Sequence, residues 1–197
     1  MSHATSTISA PSGLAPSCAT SQEGSTVGTD IVPQEFDPRD LRNAFSQFAT
    51  GVTVVTTVTP DGERIGVTAN SFTSLSMDPP LVLWCPGRHL KSLPAFEQAT
   101  HFAINVLASD QHHLSGKFAR GSSDKFDGVA VREGVAGIPV LEGTLATFEC
   151  RTVARHEAGD HVIYVGEVQR YAHAAADPLV FHGGSYHATR AHDADAS

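Results

Sequence analysis

Thr68-Ala69-Asn70-Ser71-Phe72-Thr73-Ser74-Leu75-Ser76, running straight into Met77-Asp78-Pro79-Pro80-Leu81-Val82, is the stretch on which the fold turns. Six of its first nine residues carry a hydroxyl or a carboxamide, and it lies between two apolar, β-branched segments that read as buried strands. Hydroxyls both donate and accept, and Asn offers two donors and an acceptor. A polar ledge framed by strands can therefore satisfy phosphate oxygens and the heteroatom edge of a planar cofactor. The same composition also suits a loop that spends its hydroxyls on local side-chain to backbone bonds.

Upstream of the ledge, Val52 to Thr59 is rich in β-branched residues, Pro60-Asp61-Gly62 is turn chemistry, and Arg64 to Thr68 returns, which predicts a hairpin. Downstream, Leu81 to Cys85 and His101 to Leu107 read as short apolar strands, with helices predicted over Lys91 to Gln98 and Gln111 to Ala119. The longest strand signal lies later, where Leu145 to His156 and His161 to Tyr171 alternate and are joined through Glu157-Ala158-Gly159-Asp160. Gly159 can take the positive φ that so tight a turn needs. Short strands, one long hairpin and few helices predict a mainly β fold, an antiparallel barrel, closed or partly open.

A helix is predicted from Asp37 to Ala49. Asp37 offers an N-cap, Pro38 suits the first helical position, and Asp40 puts a carboxylate near the positive helix end. Leu41, Ala44, Phe45 and Phe48 share one face, Gly51 closes the helix, and the face is expected to lie as a lid over one end of the barrel.

At 197 residues and 41% apolar composition, the chain suits one domain with a sizeable core. The expected organisation is a disordered tail over residues 1–35, a folded domain over 36–188 and a short tail over 189–197. The first tail is rich in Ser, Thr, Ala, Gly and Pro without apolar periodicity, so it cannot bury enough surface to offset its ordering entropy. A net charge of −8, with the Lys and Arg residues scattered, argues against a nucleic-acid partner. No apolar run is long enough to span a bilayer, residues 1–36 hold no Lys or Arg to start a secretory signal, and the three cysteines form no CxxC. A cytoplasmic protein without membrane partners is the expectation.

The chain lacks GxGxxG opening a βαβ unit and lacks GxxxxGK[ST], so neither a Rossmann domain nor a P-loop is supported. His182-Gly183-Gly184-Ser185 is similar to an oxyanion loop of esterases, but no GxSxG nucleophile elbow accompanies it. Eleven histidines invite a metal reading; none adopts the HExxH form, and no metal is expected.

Taken in order, the helix from Asp37, the strand Thr50 to Thr57, the ledge with its Asp78-Pro79-Pro80 exit, Phe102 to Leu107, Gly159-Asp160-His161 and Gly184-Ser185-Tyr186-His187 resemble the short-chain flavin reductases. These are the small components that supply reduced flavin to two-component monooxygenases, and the resemblance runs from about Asp37 to His187. It implies an FMN-binding split β-barrel, antiparallel and Greek-key-like with a few flanking helices, working as a homodimer. It implies hydride transfer from NADH or NADPH to FMN or FAD, with reduced flavin released to a partner monooxygenase.

For the site, the resemblance implies that Ala69 and Asn70 lie against the flavin ring, with Ser71 and Ser76 near the ribityl chain and phosphate. Thr53, Thr68 and Ser74 belong to the same cradle, and Ser92, Lys125, Phe126 and Tyr186 complete the cofactor contacts. His161 is implied where the nicotinamide docks. Without the family, Lys125 is a loop lysine, His161 a hairpin-end histidine facing water, and Tyr186 an aromatic packed on the core. Hydride transfer needs no general base, so residues that hold two rings in register are the expected actors. Two other readings stay open on the same barrel: an FMN-dependent oxidase of a phosphorylated pyridoxal-type substrate, and a non-enzymatic flavin- or haem-binding protein.

Overall fold

Three residues, Asn70, Ser71 and Phe72, carry the chain from one edge of its main sheet to the opposite edge. The structure, a computed structural model, describes residues 35–121 and 125–192. In chain order its elements are α1 (Pro38–Phe45), β1 (Thr50–Gly51), β2 (Thr53–Val58), β3 (Arg64–Ala69), β4 (Thr73–Met77) and β5 (Pro80–Trp84). Then come α2 (Leu93–Gln98), β6 (His101–Val106), α3 (His112–Ala119), β7 (Val131–Glu133), β8 (Pro139–Leu141), β9 (Ala146–Ala158), β10 (His161–His173), β11 (Val180–His182) and β12 (Ser185–His187). The expected tail over 1–34, the end of the second tail over 193–197 and residues 122–124 lie outside the described residues; 189–192 form no helix or strand.

The main sheet runs β3-β2-β6-β9-β10-β5-β4 with every neighbour antiparallel. Laid flat, seven strands at about 4.8 Å spacing would hold the outer strands about 29 Å apart. The four residue steps from Ala69 to Thr73 reach about 14 Å at most. The sheet therefore curls until the end of β3 approaches the start of β4. β1, β11 and β12 form a second small sheet, and β7 pairs with β8.

Both faces of β2 are covered. Val55 joins a cluster with Trp84, Phe96, Phe102, Ile104 and Tyr164, while Val54 joins another with Leu107, Leu114, Phe118 and Leu141. This is why the strand reads as an unbroken β-branched run rather than an alternation. The β9–β10 hairpin matches its sequence expectation closely, with Gly159 at φ +62° in the turn. Register shifts after Val165 and after Val168 bend it, as an added residue in one strand does. At the first, Gly166 passes so close to Phe102 and Cys150 that no Cβ fits.

Several boundaries differ from the sequence reading. α1 stops at Phe45, and Gly51 lies in β1 rather than closing the helix. Asp37 does cap α1, its carboxylate accepting the Arg39 N–H at 2.7 Å and the Asp40 N–H at 3.4 Å. The apolar face of α1 does not act as a lid, because the helix buries no residue. The ledge is not one loop either: it comprises the end of β3, the three-residue crossing and the edge strand β4.

Glu149 on β9 is the one fully buried carboxylate among the described core residues. Arg170 grips it at 2.9 and 2.6 Å, Arg132 reaches it at 2.9 Å, and the Val135 N–H donates at 2.7 Å. Burial pushes its pKa up, but the hydrogen bonds from Arg170, Val135 and Arg132 and the charge of Arg132 outweigh burial and hold it below the usual carboxylate value. The network ties β7 and the 135–137 turn to the centre of the main sheet.

Candidate active site

At the open side of the curled sheet, Thr68, Ala69, Asn70 and Ser71 line a cleft of about 240 Å³ together with Trp84, Cys85, Gly87 and His161. Residues more than ninety positions apart meet here because β10 pairs with β5, and β5 leads directly into Cys85. The tip of the β9–β10 hairpin is fastened to the segment after β5. Val162 N–H donates to Pro86 C=O at 3.0 Å, Arg88 N–H donates to Asp160 C=O at 2.8 Å, and the Arg88 guanidinium meets Glu157 at 2.7 Å.

His161 Nδ1 lies 2.7 Å from Asp160 Oδ1. An ionised carboxylate can only accept, so Nδ1 carries the proton. The hydrogen bond from His161, followed by its charge, holds the Asp160 carboxyl below its usual value. The other edge of the imidazole, Nε2, lies over Gly87, where an added Cβ would come within 3.7 Å of it.

The hydroxyls assigned to the cradle are largely engaged with backbone. Thr53 Oγ1 donates to Ala69 C=O at 2.7 Å and Thr68 Oγ1 donates to Ser115 C=O at 2.7 Å. Ser71 Oγ accepts the Cys85 N–H and donates to the Cys85 C=O. These bonds set the shape of the cleft rather than its free polar groups. Asn70, by contrast, is exposed at the rim.

A second cavity of about 660 Å³ shares Val67 and Leu90 with the cleft and contains Ser92 and Lys125. Ser92 stands at the N-cap of α2 without capping it, and its buried Oγ has no hydrogen-bond partner, an unusual state that invites one. Lys125 is neither a solvated loop lysine nor a bare cation: Nζ donates to Gly66 C=O at 2.9 Å and Phe118 C=O at 3.0 Å. Burial lowers its pKa. A third cavity of about 550 Å³ shares Arg120 and Lys125 with the second and is lined also by Tyr186. Tyr186 Oη pairs with Ser115 Oγ at 2.8 Å.

The remaining expected contacts fall elsewhere. Thr53 is buried in β2, Ser74 and Ser76 lie on the edge strand β4, and none of the three lines these cavities. Phe126 packs edge-on against Phe118 at 5.1 Å and supports the cavity wall from behind. Ser115, which binds Thr68 through its carbonyl and Tyr186 through its hydroxyl, escaped the sequence reading, as did Asp160 in its role beside His161. A buried serine within a helix carries no sequence signal; the Asp-His pair was visible as neighbours. Among the described residues no three His, Cys, Asp or Glu side chains gather as a metal site.

Comparison with known proteins shows the family. Residues 45–190 match the flavin reductase like domain, and the chain belongs to that family. It is 54% identical over 156 residues to FMN reductase (NADH) SmoA of Agrobacterium fabrum, covering 79% of this chain and 88% of that protein. It is 39% identical over 155 residues to HsaB of Mycobacterium tuberculosis, the reductase subunit of a flavin-dependent monooxygenase, covering 77% of this chain and 82% of that one. Among solved structures, the Streptomyces globisporus C-1027 NADH:FAD oxidoreductase SgcE6, in complex with NAD and FAD fragments, superposes with a TM-score of 0.75 at 40% identity. The match covers 82% of this chain and 99% of that one.

Proposed function

We propose that the protein is an NAD(P)H:flavin oxidoreductase that reduces FMN or FAD and releases reduced flavin to a separate flavin-dependent monooxygenase. The convergence of Thr68 to Ser71 with His161 on one cleft carries this reading. NADH is the favoured donor, since the similar proteins SmoA and SgcE6 are named for it.

The residues fit a flavin. Val67, Trp84, Pro86 and Leu90 offer apolar contact to a ring, Asn70 offers an amide at its edge, and the partnerless Ser92 hydroxyl with the Lys125 ammonium offers a place for phosphate. When bound, the flavin supplies the hydride acceptor. The chain's own part is positional: Asp160 fixes the proton on His161 Nδ1, leaving Nε2 to meet the nicotinamide carboxamide. The pinned Thr68 to Ser71 segment holds the flavin side still.

The curl that brings the ends of β3 and β4 together supports the split-barrel description, in a domain over 36–188. A homodimer is supported by aromatic and apolar side chains that this chain leaves uncovered: Phe36, Phe45 and Phe48 around α1 are 62%, 71% and 79% exposed, and Met77 on β4 is 89% exposed. The unpaired thiols of Cys85 and Cys150 suit a cytoplasmic protein. The deciding experiment measures NADH and NADPH oxidation with and without added FMN or FAD. Turnover that depends on added flavin supports a reductase; flavin that co-purifies and never leaves supports an oxidase, and no turnover supports a binding protein.

A further inference from the structure

Gly87, on the wall of the cleft, is a glycine that the fold does not require. Other glycines answer to the backbone or to packing: Gly159 and Gly183 have φ of +62° and +56°, and at Gly66 and Gly166 an added Cβ would come within 2.5 and 2.4 Å of an aromatic ring. The φ of Gly87 lies outside the left-handed region. Apart from its chain neighbours, an added Cβ would meet only two atoms within 4 Å among the described residues, His161 Nε2 at 3.7 Å and the Asp160 C=O at 4.0 Å. Both are ordinary van der Waals distances, so alanine fits, and alanine would lose less backbone freedom on folding. A cleft glycine that neither conformation nor crowding demands points to a ligand that approaches closely.

Strand register shows what the room is for. Gly87 and His161 form an antiparallel bridge, with hydrogen bonds on either side of the pair, from Val162 N–H to Pro86 C=O and from Arg88 N–H to Asp160 C=O. Residues opposed between two such bonds project on the same face, with their Cβ atoms at their closest. A side chain at 87 would therefore stand beside the imidazole. Asp160 already occupies the Nδ1 edge at 2.7 Å, and Nε2 is the atom that an added Cβ would meet first. The two flanking bonds and the Arg88–Glu157 ion pair keep Gly87 from swinging aside.

Resting on the flavin reading above, we propose that Gly87 governs access of the hydride donor: its bare Cα leaves His161 Nε2 uncovered, so that the nicotinamide carboxamide can reach it. A side chain at 87 shields that edge and narrows the cleft on the donor's side. The flavin side is left as it is, because no residue of the Thr68 to Ser71 segment lies within 4 Å of the added Cβ. Gly87 thus acts through His161, as a positioning residue whose contribution is clearance.

The test compares the wild type with Gly87→Ala and Gly87→Val by stopped-flow flavin reduction at varied NADH, by flavin titration and by thermal unfolding, and adds His161→Ala alone and combined with Gly87→Val. Gly87→Ala is expected to melt at or above the wild-type temperature. It should raise the NADH concentration for half-maximal reduction about threefold, and Gly87→Val about tenfold or more, with flavin affinity within about twofold in both. In the His161→Ala background valine should add less than about twofold, since the edge that it covers is gone. Wild-type donor dependence in both variants overturns the proposal. So does an equal loss of flavin affinity, which would put Gly87 under the flavin, or a valine effect that persists in full without His161. Gly87→Ala keeps the test decisive if the valine variant fails to fold. A wild type that binds flavin but is reduced by neither NADH nor NADPH sinks the oxidoreductase reading and this proposal together; normal wild-type reduction with unchanged variants sinks this proposal alone.

Discussion

Ser71 holds Cys85 from both sides: its hydroxyl accepts the Cys85 N–H at 2.9 Å and donates to the Cys85 C=O at 3.1 Å. The pair fastens the three-residue crossing between sheet edges to the end of β5, so the same serine shapes the fold and one wall of the cleft. Ser71→Ala leaves two partly buried backbone groups without a partner and is expected to cost about 1–3 kcal/mol. Denaturant unfolding measures the loss, and a parallel flavin titration should show weaker binding. Unchanged stability would mean that water replaces the hydroxyl without cost.

His161 should behave differently, because it faces the cleft from the hairpin tip while the Ser71 segment stays intact. His161→Ala is expected to raise KM for NADH or slow hydride transfer by about tenfold or more, since small misplacement of reacting groups costs that much. Flavin affinity should hold. Asp160→Asn should show the same direction with a smaller effect, as it frees the imidazole to change its protonated nitrogen. Stopped-flow reduction of bound flavin reads both; normal kinetics in His161→Ala would return the residue to a solvent-facing role.

Buried Glu149 gives the fold an acid limit. Its folded pKa lies below the unfolded carboxylate value of about 4.3, so its network adds stability that is fully present above that value and is lost as pH falls through the folded pKa. Glu149→Gln leaves Arg132 and Arg170 facing a neutral group and is expected to cost about 3 kcal/mol near neutral pH. It should also flatten the acid limb of the stability curve. Melting temperatures from about pH 3 to 7 for both proteins, spanning the range in which carboxylates titrate, test the sign; parallel curves would show that Glu149 does not set the acid limit.

Gly166→Ala tests the bend in the long hairpin. Its Cβ would lie 2.4 Å from Phe102 Cζ and 2.9 Å from Cys150 Cβ, both in side chains with no room to retreat. Overpacking of this kind costs about 1–3 kcal/mol. Thermal unfolding should show the loss, and a neutral result would mean that the sheet opens at the register shift without penalty.

How far the sequence revealed this molecule depended on whether each element carried a period or a turn signal. The β9–β10 hairpin was legible because alternation and Gly159 agreed. β11 and β12, three residues each, are too short to show a period, and they exist because β1 offers an edge to pair with. α1 was read too long because Phe48 continues the apolar spacing, yet the chain turns at Ser46, whose carbonyl accepts the Gly183 N–H. In the site, Thr68 to Ser71 and His161 were legible as types and positions. What was not legible is that Thr53, Thr68 and Ser71 spend their hydroxyls on backbone, since that depends on which carbonyls the curled sheet brings near.

Hydride transfer to flavin can be watched by anaerobic mixing of the purified protein with NADH and an excess of FMN or FAD, following the visible absorbance of oxidised flavin. Bleaching of many flavin molecules per protein is expected, abolished when either NADH or protein is omitted. Persistent flavin colour with a folded sample, with NADH and NADPH alike, would contradict it.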